Sequence, residues 1–119
     1  MIARMGTVVL DCPDPRALAD FYAGVTGWQV TESDDEWVGL GDGGQVDLAF
    51  QRVQEYHPPR WPDPVYPQQF HLDLYADDLD AAEERVLALG ATRLGGPDGP
   101  DGFRVYADPA GHPFCLCRN

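Results

Sequence analysis

The residues most able to do chemistry lie close together in the short segment His71-Leu72-Asp73-Leu74-Tyr75. Side chains two positions apart point to the same face of a β-strand, so an extended segment would place His71, Asp73 and Tyr75 side by side. An imidazole beside a carboxylate can act as a general acid or base, or donate a hydrogen bond to a substrate carbonyl. The pair also fits a non-catalytic interpretation, in which His71 is only hydrogen-bonded where its strand begins. His71 and Asp73 are therefore the candidate catalytic residues.

The three cysteines, Cys12, Cys115 and Cys117, are a second group with possible reactivity. Cys115 would be nucleophilic if its thiol pKa were lowered by a cationic neighbour. No such neighbour is evident in the sequence, so we expect Cys115 to be an unreactive residue that only lines a binding site. An odd number of cysteines, two of them too close along the chain for an easy disulfide, predicts free thiols in a reducing compartment. We therefore expect a cytoplasmic protein.

The elements that must position these residues occur twice. Thr7-Val8-Val9-Leu10-Asp11-Cys12 alternates like a strand and precedes an Asp-led helix closed by Gly27, and the same plan returns from His71 to Gly90. Short strands follow each helix. Internal repetition of this kind indicates two related halves. The prediction is an α+β fold with two pseudo-symmetric βαβββ modules, which form a curved mixed sheet around a cup.

We predict a single domain over 1–119, with module 1 at about 1–51 and module 2 at about 68–119. A connector at 52–67 contains five prolines, which remove backbone donors and stiffen the chain. Its aromatic residues, Trp61 among them, could cover the cup, or could pack the module junction or a dimer interface. The predicted helices cover about 15–26 and 79–89, and the predicted strands about 4–12, 28–31, 36–40, 46–51, 69–76, 92–95, 103–107 and 113–117.

Strand alternation predicts which side chains reach the cup. The apolar positions Val8, Leu10, Leu72 and Leu74 must be covered by the helices, so the intervening side chains face the other way. A concave surface with apolar walls and a few polar groups is the usual form of a small-molecule site. The predicted ligand-binding residues are Thr7, Asp47, His71, Asp73, Tyr75, Arg104, Tyr106 and Cys115, together with Trp61 from the connector.

Charge narrows the choice of partner. The 119 residues include 20 acidic and 8 basic side chains, which give a net charge of −12 and a pI near 4.2. Such a chain has little with which to neutralise phosphates, so we expect no nucleic-acid partner. No apolar run is long enough to span a bilayer, so we expect no membrane partner. Neutral or cationic small organic ligands suit this charge, although acidity can also provide solubility alone.

Three segments resemble the vicinal oxygen chelate superfamily, and in particular its glyoxalase-like and bleomycin-resistance-like proteins. They read GTVVLDCPDPRALADFYAGVTGW, FHLDLYADDLDAAEERVLALGA and FRVYADPAGHPFCLC, and together they cover almost the whole chain. The superfamily includes metal-dependent lyases, isomerases and dioxygenases as well as metal-free drug-binding proteins. The resemblance also implies a homodimer, either edge-paired or formed by exchange of modules.

The resemblance places metal ligands at Thr7, Asp47, His71 and Cys115. Only His71 is the usual residue type at its position, and threonine is a poor ligand for Zn²⁺ or Fe²⁺. We therefore expect neither a bound catalytic metal nor another cofactor. The alternative is one divalent metal such as Zn²⁺, held by Asp47, His71 and Cys115.

The function expected from the sequence is a metal-free glyoxalase-like protein that holds a neutral or cationic organic ligand in the cup. The alternative is a metal-dependent or histidine-based lyase or isomerase of the same superfamily, using His71 with Asp73. The sequence leaves open which of the two is correct. It also leaves open whether the loop at 96–102 or the connector covers the cup.

Overall fold

The structure is a computed structural model that describes residues 1–118. Its order of elements, βαβββ followed by βαβββ, confirms the predicted α+β fold with two modules. The chain divides into two compact units, unit 1 over Met1–Tyr56 and unit 2 over His57–Asn119. The elements are β1 (Thr7–Cys12), α1 (Pro15–Thr26), β2 (Gln29–Ser33), β3 (Trp37–Gly41), β4 (Asp47–Arg52), β5 (Leu72–Ala76), α2 (Leu79–Ala88), β6 (Thr92–Gly95), β7 (Phe103–Ala107) and β8 (Pro113–Arg118).

Helix α1 begins and ends where its sequence signals predict. The Asp14 side chain accepts a hydrogen bond from the Ala17 N–H at 3.1 Å, and Pro15 occupies the first turn, where a missing N–H costs nothing. Gly27 ends the helix with φ of 75°, a left-handed conformation that glycine adopts without strain. The helix buries Leu18, Ala19, Phe21 and Tyr22 against its sheet.

The sheet of unit 1 has the order β1-β4-β3-β2, with β1 parallel to β4 and the other pairs antiparallel. Its helix-facing side is apolar. Tyr22 of α1 stacks on Phe50 of β4 with ring centroids 5.6 Å apart, and both side chains are fully buried. Leu10, Val38 and Leu40 complete this core, and Leu10 faces the helix as the alternation of β1 predicts.

Unit 2 repeats the topology with the sheet order β5-β8-β7-β6. The Asp78 side chain accepts a hydrogen bond from the Ala81 N–H at 3.1 Å and so caps α2. Strand β5 starts at Leu72, later than the predicted 69, because its ladder begins where Leu72 pairs with Phe114 near the start of β8. None of the helices within residues 1–118 is long and apolar enough to cross a membrane.

Most of the proline-rich connector belongs to unit 2. Its residues 60–66 form a compact loop in which the Arg60 N–H donates to the Tyr66 carbonyl at 2.8 Å and the Arg60 guanidinium lies 4.7 Å from the centre of the Tyr66 ring. A Cβ built on Gly111 would lie 2.8 Å from Pro58, so the connector packs tightly on the turn before β8. Residues 57–67 are therefore part of the folded structure of unit 2.

Candidate functional site

A cavity of about 360 Å³ lies on the face of the unit 2 sheet that is turned away from α2. Residues directly paired across neighbouring strands share a face, so Asp73, Cys115 and Val105 lie in one row and Cys117 and Phe103 in the next. This volume is typical of a small-molecule site. The lining residues are Trp61, Gln68, His71, Asp73, Phe103, Val105, Cys115 and Cys117.

The polar side of this cavity contains a histidine–carboxylate pair. His71 directly precedes β5, and its Nε2 lies 3.1 Å from Oδ1 of Asp73. Both side chains are substantially exposed, at 39% and 52%. The carboxylate can orient the imidazole and hold one of its N–H groups, which leaves the other ring nitrogen for a ligand. The two candidate catalytic residues are thus brought together.

The two cavity thiols retain their protons at neutral pH. Burial raises the pKa of Cys115 to about 11, and the negative charge of Asp73 acts in the same direction. The pKa of Cys117 is also raised, again first by burial and then by Asp73. A thiol with a raised pKa is a weak nucleophile near pH 7. This supports the expectation that Cys115 only lines the cavity, and no disulfide bond joins the three cysteines within residues 1–118.

The opposite side of the cavity is apolar and is built largely by one tryptophan. A Cβ added to Gly95 would lie 3.1 Å from the Trp61 ring, so the absence of a side chain at Gly95 lets the indole approach strand β6 closely. Phe103 and Val105 of β7 continue the wall, and Phe103 is 49% exposed. Trp61 therefore lines the cavity of unit 2.

The predicted cup positions of Arg104 and Tyr106 are wrong. They pair with Leu116 and Phe114, whose side chains face α2, whereas Val105 between them pairs with Cys115. The prediction set the alternation of β7 one residue out of phase, and a one-residue shift moves every side chain of a strand to the other face. Phe103 and Val105 occupy the cavity positions instead, and the pairing of β7 with β8 would have identified them.

Arg104 and Tyr106 instead bind the acidic side chains of α2. The Arg104 guanidinium lies 2.8 Å from Asp80 and 3.2 Å from Glu83, and the Tyr106 hydroxyl donates to Glu83 at 3.0 Å. Burial, followed by the hydrogen bond to Glu83, raises the pKa of Tyr106 to about 12. The hydrogen bond to Asp80 is the main cause that raises the pKa of Arg104. This network is part of the structural core of unit 2.

The loop at 96–102 is attached to the helix side of the unit. Arg104 donates to the Gly99 carbonyl at 2.7 Å, and Arg93 donates to the Gly96 carbonyl at 3.1 Å and pairs with Asp98 at 3.1 Å. The connector lines the cavity instead, through the side chain of Trp61. Within unit 2, the connector and not the loop at 96–102 therefore contributes to the cavity lining.

Thr7 and Asp47 belong to unit 1, where they are direct partners across β1 and β4. Register shows that Asp47 is not the counterpart of Cys115. Cys115 of β8 pairs with β5 on one side and with β7 on the other, and Ala49 of β4 pairs in the same way with β1 and β3. Ala49 therefore occupies the position in unit 1 that Cys115 occupies in unit 2. Tyr75 shares the Asp73 face of β5 but lies outside the cavity lining and is 69% exposed.

Within unit 2, possible metal donors do converge. Single ligand atoms of His71, Asp73 and Cys115 all lie within 4.8 Å of one another. Imidazole, carboxylate and thiolate are all zinc ligands, so the three residue types fit a zinc ion. The raised pKa of Cys115 opposes this use because the metal must displace the thiol proton. Within unit 2, Asp73 supplies the carboxylate of this group.

Gln68 is a cavity residue that the sequence analysis missed. Its Oε1 is buried and finds no hydrogen-bond donor within residues 1–118. Gln68 and Trp61 also line a neighbouring cavity of about 180 Å³, formed by the prolines of the connector. No local sequence pattern marks this glutamine, because its placement depends on how the connector folds onto the sheet.

Comparison with known proteins gives one family and several relatives. Residues 7–117 match the family described as glyoxalase-like domain. The chain is 33% identical to the anthracycline biosynthesis protein DnrV of Streptomyces peucetius over 92% of its own length, and it spans 44% of that relative.

Solved structures share the fold at lower identity. A glyoxalase/bleomycin resistance protein/dioxygenase family enzyme from Burkholderia phytofirmans PsJN superposes with a TM-score of 0.75 at 20% identity, covering 98% of each chain. TnmS3, an antibiotic binding protein from Streptomyces sp. CB03234, superposes with a TM-score of 0.65 at 22% identity, covering 98% of this chain and 96% of that one.

Proposed function

Because this chain belongs to the glyoxalase-like domain family, we propose that it binds a small organic molecule, neutral or cationic, without a resident catalytic metal. The observation that carries this proposal is the cavity of about 360 Å³, with the Trp61 indole on one side and the Asp73 carboxylate on the other. A flat ligand would stack on the indole, and a positive group would lie beside the carboxylate.

The relatives support a role in binding natural products. TnmS3 is an antibiotic binding protein with the same fold, and DnrV takes part in anthracycline biosynthesis. The net charge of −12 favours cationic over anionic ligands through the field around the whole molecule. A planar aromatic compound, with or without a basic substituent, is the ligand class that these observations favour.

The test is binding of proflavine, a planar cation, to the intact protein, followed by calorimetry and by the indole N–H signals in NMR spectra. We expect Trp61→Leu to weaken binding at least tenfold, because it removes the stacking surface. Trp37→Leu is the matched control, since Trp37 is a partly buried tryptophan of unit 1 and lies outside this cavity. Equal binding by the wild type and Trp61→Leu would contradict the proposal.

A histidine-based lyase or isomerase is the second candidate, favoured by the 3.1 Å contact between His71 and Asp73. Asp73 would orient the imidazole, and the free ring nitrogen would move a proton of the ligand. Turnover lost in both His71→Gln and Asp73→Asn, with ligand binding retained, would establish this activity. Loss of affinity without any measurable turnover would instead support a binding role.

A metal-dependent enzyme is the variant of this candidate that the three converging donors permit. His71, Asp73 and Cys115 would hold a zinc ion, which would supply Lewis-acid polarisation of a ligand oxygen. Elemental analysis after purification without chelators tests this. One equivalent of zinc per chain, lost in His71→Gln and in Cys115→Ser, would replace the metal-free proposal.

We also propose a cytosolic homodimer. Cysteines that form no disulfide bond within residues 1–118 suit a reducing compartment, and the exposed apolar side chains of Phe70 and Tyr75 suit burial against a second copy. Light scattering of the purified protein tests the assembly, and a monomer at micromolar concentration would contradict it. We expect no nucleic-acid or membrane partner, given the acidic charge.

A further inference from the structure

We propose that the ligand of this cavity is an arylalkylamine, in which a spacer of two or three carbon atoms separates an aromatic ring from a cationic nitrogen. This inference rests on the proposed binding function and names the chemistry of its ligand more closely. It is carried by the strand register of unit 2, which fixes how far the aromatic side of the cavity lies from the carboxylate.

One row of paired residues crosses the whole sheet beneath the cavity. Gly95 of β6 pairs with Val105 of β7. Val105 pairs in turn with Cys115 of β8, which pairs with Asp73 of β5. Directly paired residues share a face of the sheet, so these four positions face the cavity together. Across the sheet the row therefore runs from a glycine, through an apolar side chain and a thiol, to a carboxylate.

The aromatic end of this row is provided by Trp61. A Cβ on Gly95 would lie 3.1 Å from the indole, so the indole packs against this end of the row. Phe103 and Val105 of the neighbouring strand β7 supply the apolar surface next to it. Phe103 is 49% exposed, so a ligand can reach this surface. An aromatic ring that contacts both the indole and this surface therefore lies over β7.

The charged end of the row is Asp73. Its side chain is 52% exposed, so a ligand can reach its carboxylate even though His71 lies 3.1 Å from one of the oxygens. The thiols of Cys115 and Cys117 keep their protons at neutral pH, because burial raises both pKa values. Within residues 1–118, Asp73 is therefore the lining side chain that carries a negative charge, and a cationic group of the ligand would lie beside it.

The separation of the two ends sets the length of the spacer. Neighbouring strands lie about 4.8 Å apart, so β7 and β5, which have β8 between them, are separated by about 9.6 Å. An ammonium nitrogen lies about 2.8 Å from a carboxylate oxygen that it contacts, which places the nitrogen about 6–7 Å from the centre of the ring. An extended spacer of two or three carbon atoms gives this separation. A cation whose charge lies within the ring itself does not.

The experiment measures how the contribution of Asp73 to affinity depends on the spacer. The probes are 2-(2-naphthyl)ethylamine, 3-(2-naphthyl)propylamine and N-methylquinolinium, a cation of similar ring size without a spacer. Each is titrated into the intact chain at pH 8, following the Trp61 indole N–H by NMR, in the wild type and in Asp73→Asn. We expect Asp73→Asn to bind the two amines about fivefold more weakly, as loss of a partly exposed ion pair gives. Its affinity for N-methylquinolinium should change by less than about twofold, because that charge lies too far from the carboxylate.

Two matched controls separate the ion pair from other effects. The neutral compound 2-(2-naphthyl)ethanol has the same ring and spacer, so Asp73→Asn should leave its affinity nearly unchanged. Asp77→Asn removes the same charge at an exposed residue outside the cavity lining, so it should leave the affinities for both amines nearly unchanged. Because Asp73 is half exposed, we expect Asp73→Asn to fold, and its circular dichroism spectrum checks this.

The outcomes separate this inference from its premise. If the probes shift the Trp61 signal but Asp73→Asn weakens none of them, or weakens N-methylquinolinium as much as the amines, the binding function stands and the inferred spacer is wrong. If no probe shifts any cavity signal at millimolar concentration, the proposed binding function is wrong and the inference is overturned with it. A loss of affinity in Asp73→Asn that is confined to the two amines confirms the inference.

Discussion

The two units share one topology but bury different chemistry between helix and sheet. Strand register makes Val38 of β3 the counterpart of Arg104 in β7, since each pairs with the same position of the following strand, Phe50 in unit 1 and Leu116 in unit 2. Unit 1 therefore has an apolar side chain where unit 2 has a guanidinium that is only 3% exposed. Helix α2 compensates with the acidic side chains that α1 lacks at its buried face.

The opposite faces of the sheets differ as well. Gly39 of β3 is the counterpart of Val105, and a Cβ on Gly39 would lie 2.6 Å from the Thr31 hydroxyl oxygen. Unit 1 thus fills that face with side chains from its own β2, whereas unit 2 keeps an apolar wall with a cavity above it. The duplicated βαβββ plan thus constrains topology, while each face of a sheet can change its chemistry independently.

The largest effect should come from the apolar core of unit 1. Tyr22→Ala removes a fully buried ring that stacks on Phe50, and we expect a loss of about 3–5 kcal/mol in the free energy of unfolding. Urea denaturation measures it. A loss below about 1 kcal/mol would show that this core is less tightly packed than the structure indicates.

The second-largest loss of stability should come from the ion-paired network of Arg104, Asp80 and Glu83 in unit 2. Glu83→Gln takes one negative charge from the buried Arg104 while Asp80 remains, and we expect a loss of about 2–3 kcal/mol. Adding Arg104→Met to Glu83→Gln should recover part of that loss, because the buried guanidinium, which Asp80 alone compensates less well, is then gone. A double variant less stable than the single one would show that the guanidinium is needed for packing.

Alkaline pH should lower the stability of unit 2 through two groups with raised pKa values. The thiol of Cys115 and the hydroxyl of Tyr106 are protonated more readily in the folded protein than in the unfolded chain. Their contribution to the free energy of unfolding is complete below about pH 9 and is lost as the pH rises towards 11 and 12. We expect unfolding midpoints to fall over this range, less steeply in Cys115→Ala. A Cys115 that reacts with iodoacetamide at half-maximal rate near pH 8 would contradict the raised pKa.

The smallest effect should come from the exposed ion pair of α1. Arg16 and Asp20 approach to 3.0 Å, but their side chains are 58% and 62% exposed. We expect Asp20→Asn to change the free energy of unfolding by less than about 0.5 kcal/mol. A change as large as that of Glu83→Gln would remove the distinction between exposed and buried pairs on which the comparison depends.

Much of the fold was predictable because its signals are local. The helix starts at Asp14-Pro15 and at Asp77 or Asp78, the Gly27 stop of α1 and the alternation in β1 and β5 each act over a few residues, and the structure confirms them, with Asp78 as the cap of α2. The phase of β7 was not predictable in this way. Phe103-Arg104-Val105-Tyr106 places a large side chain at every position, so alternation alone cannot say which pair faces the helix.

The sequence by itself determined the repeat, the two helices and the face on which His71, Asp73 and Cys115 lie, because alternation and capping depend on neighbours along the chain. Tertiary structure alone decided that Asp80 and Glu83 would pair with Arg104, that the connector would lay Trp61 over Gly95, and that Gln68 would bury an unpaired oxygen beside it. Those outcomes depend on strand register and loop packing between residues distant in sequence, and local patterns do not encode such contacts.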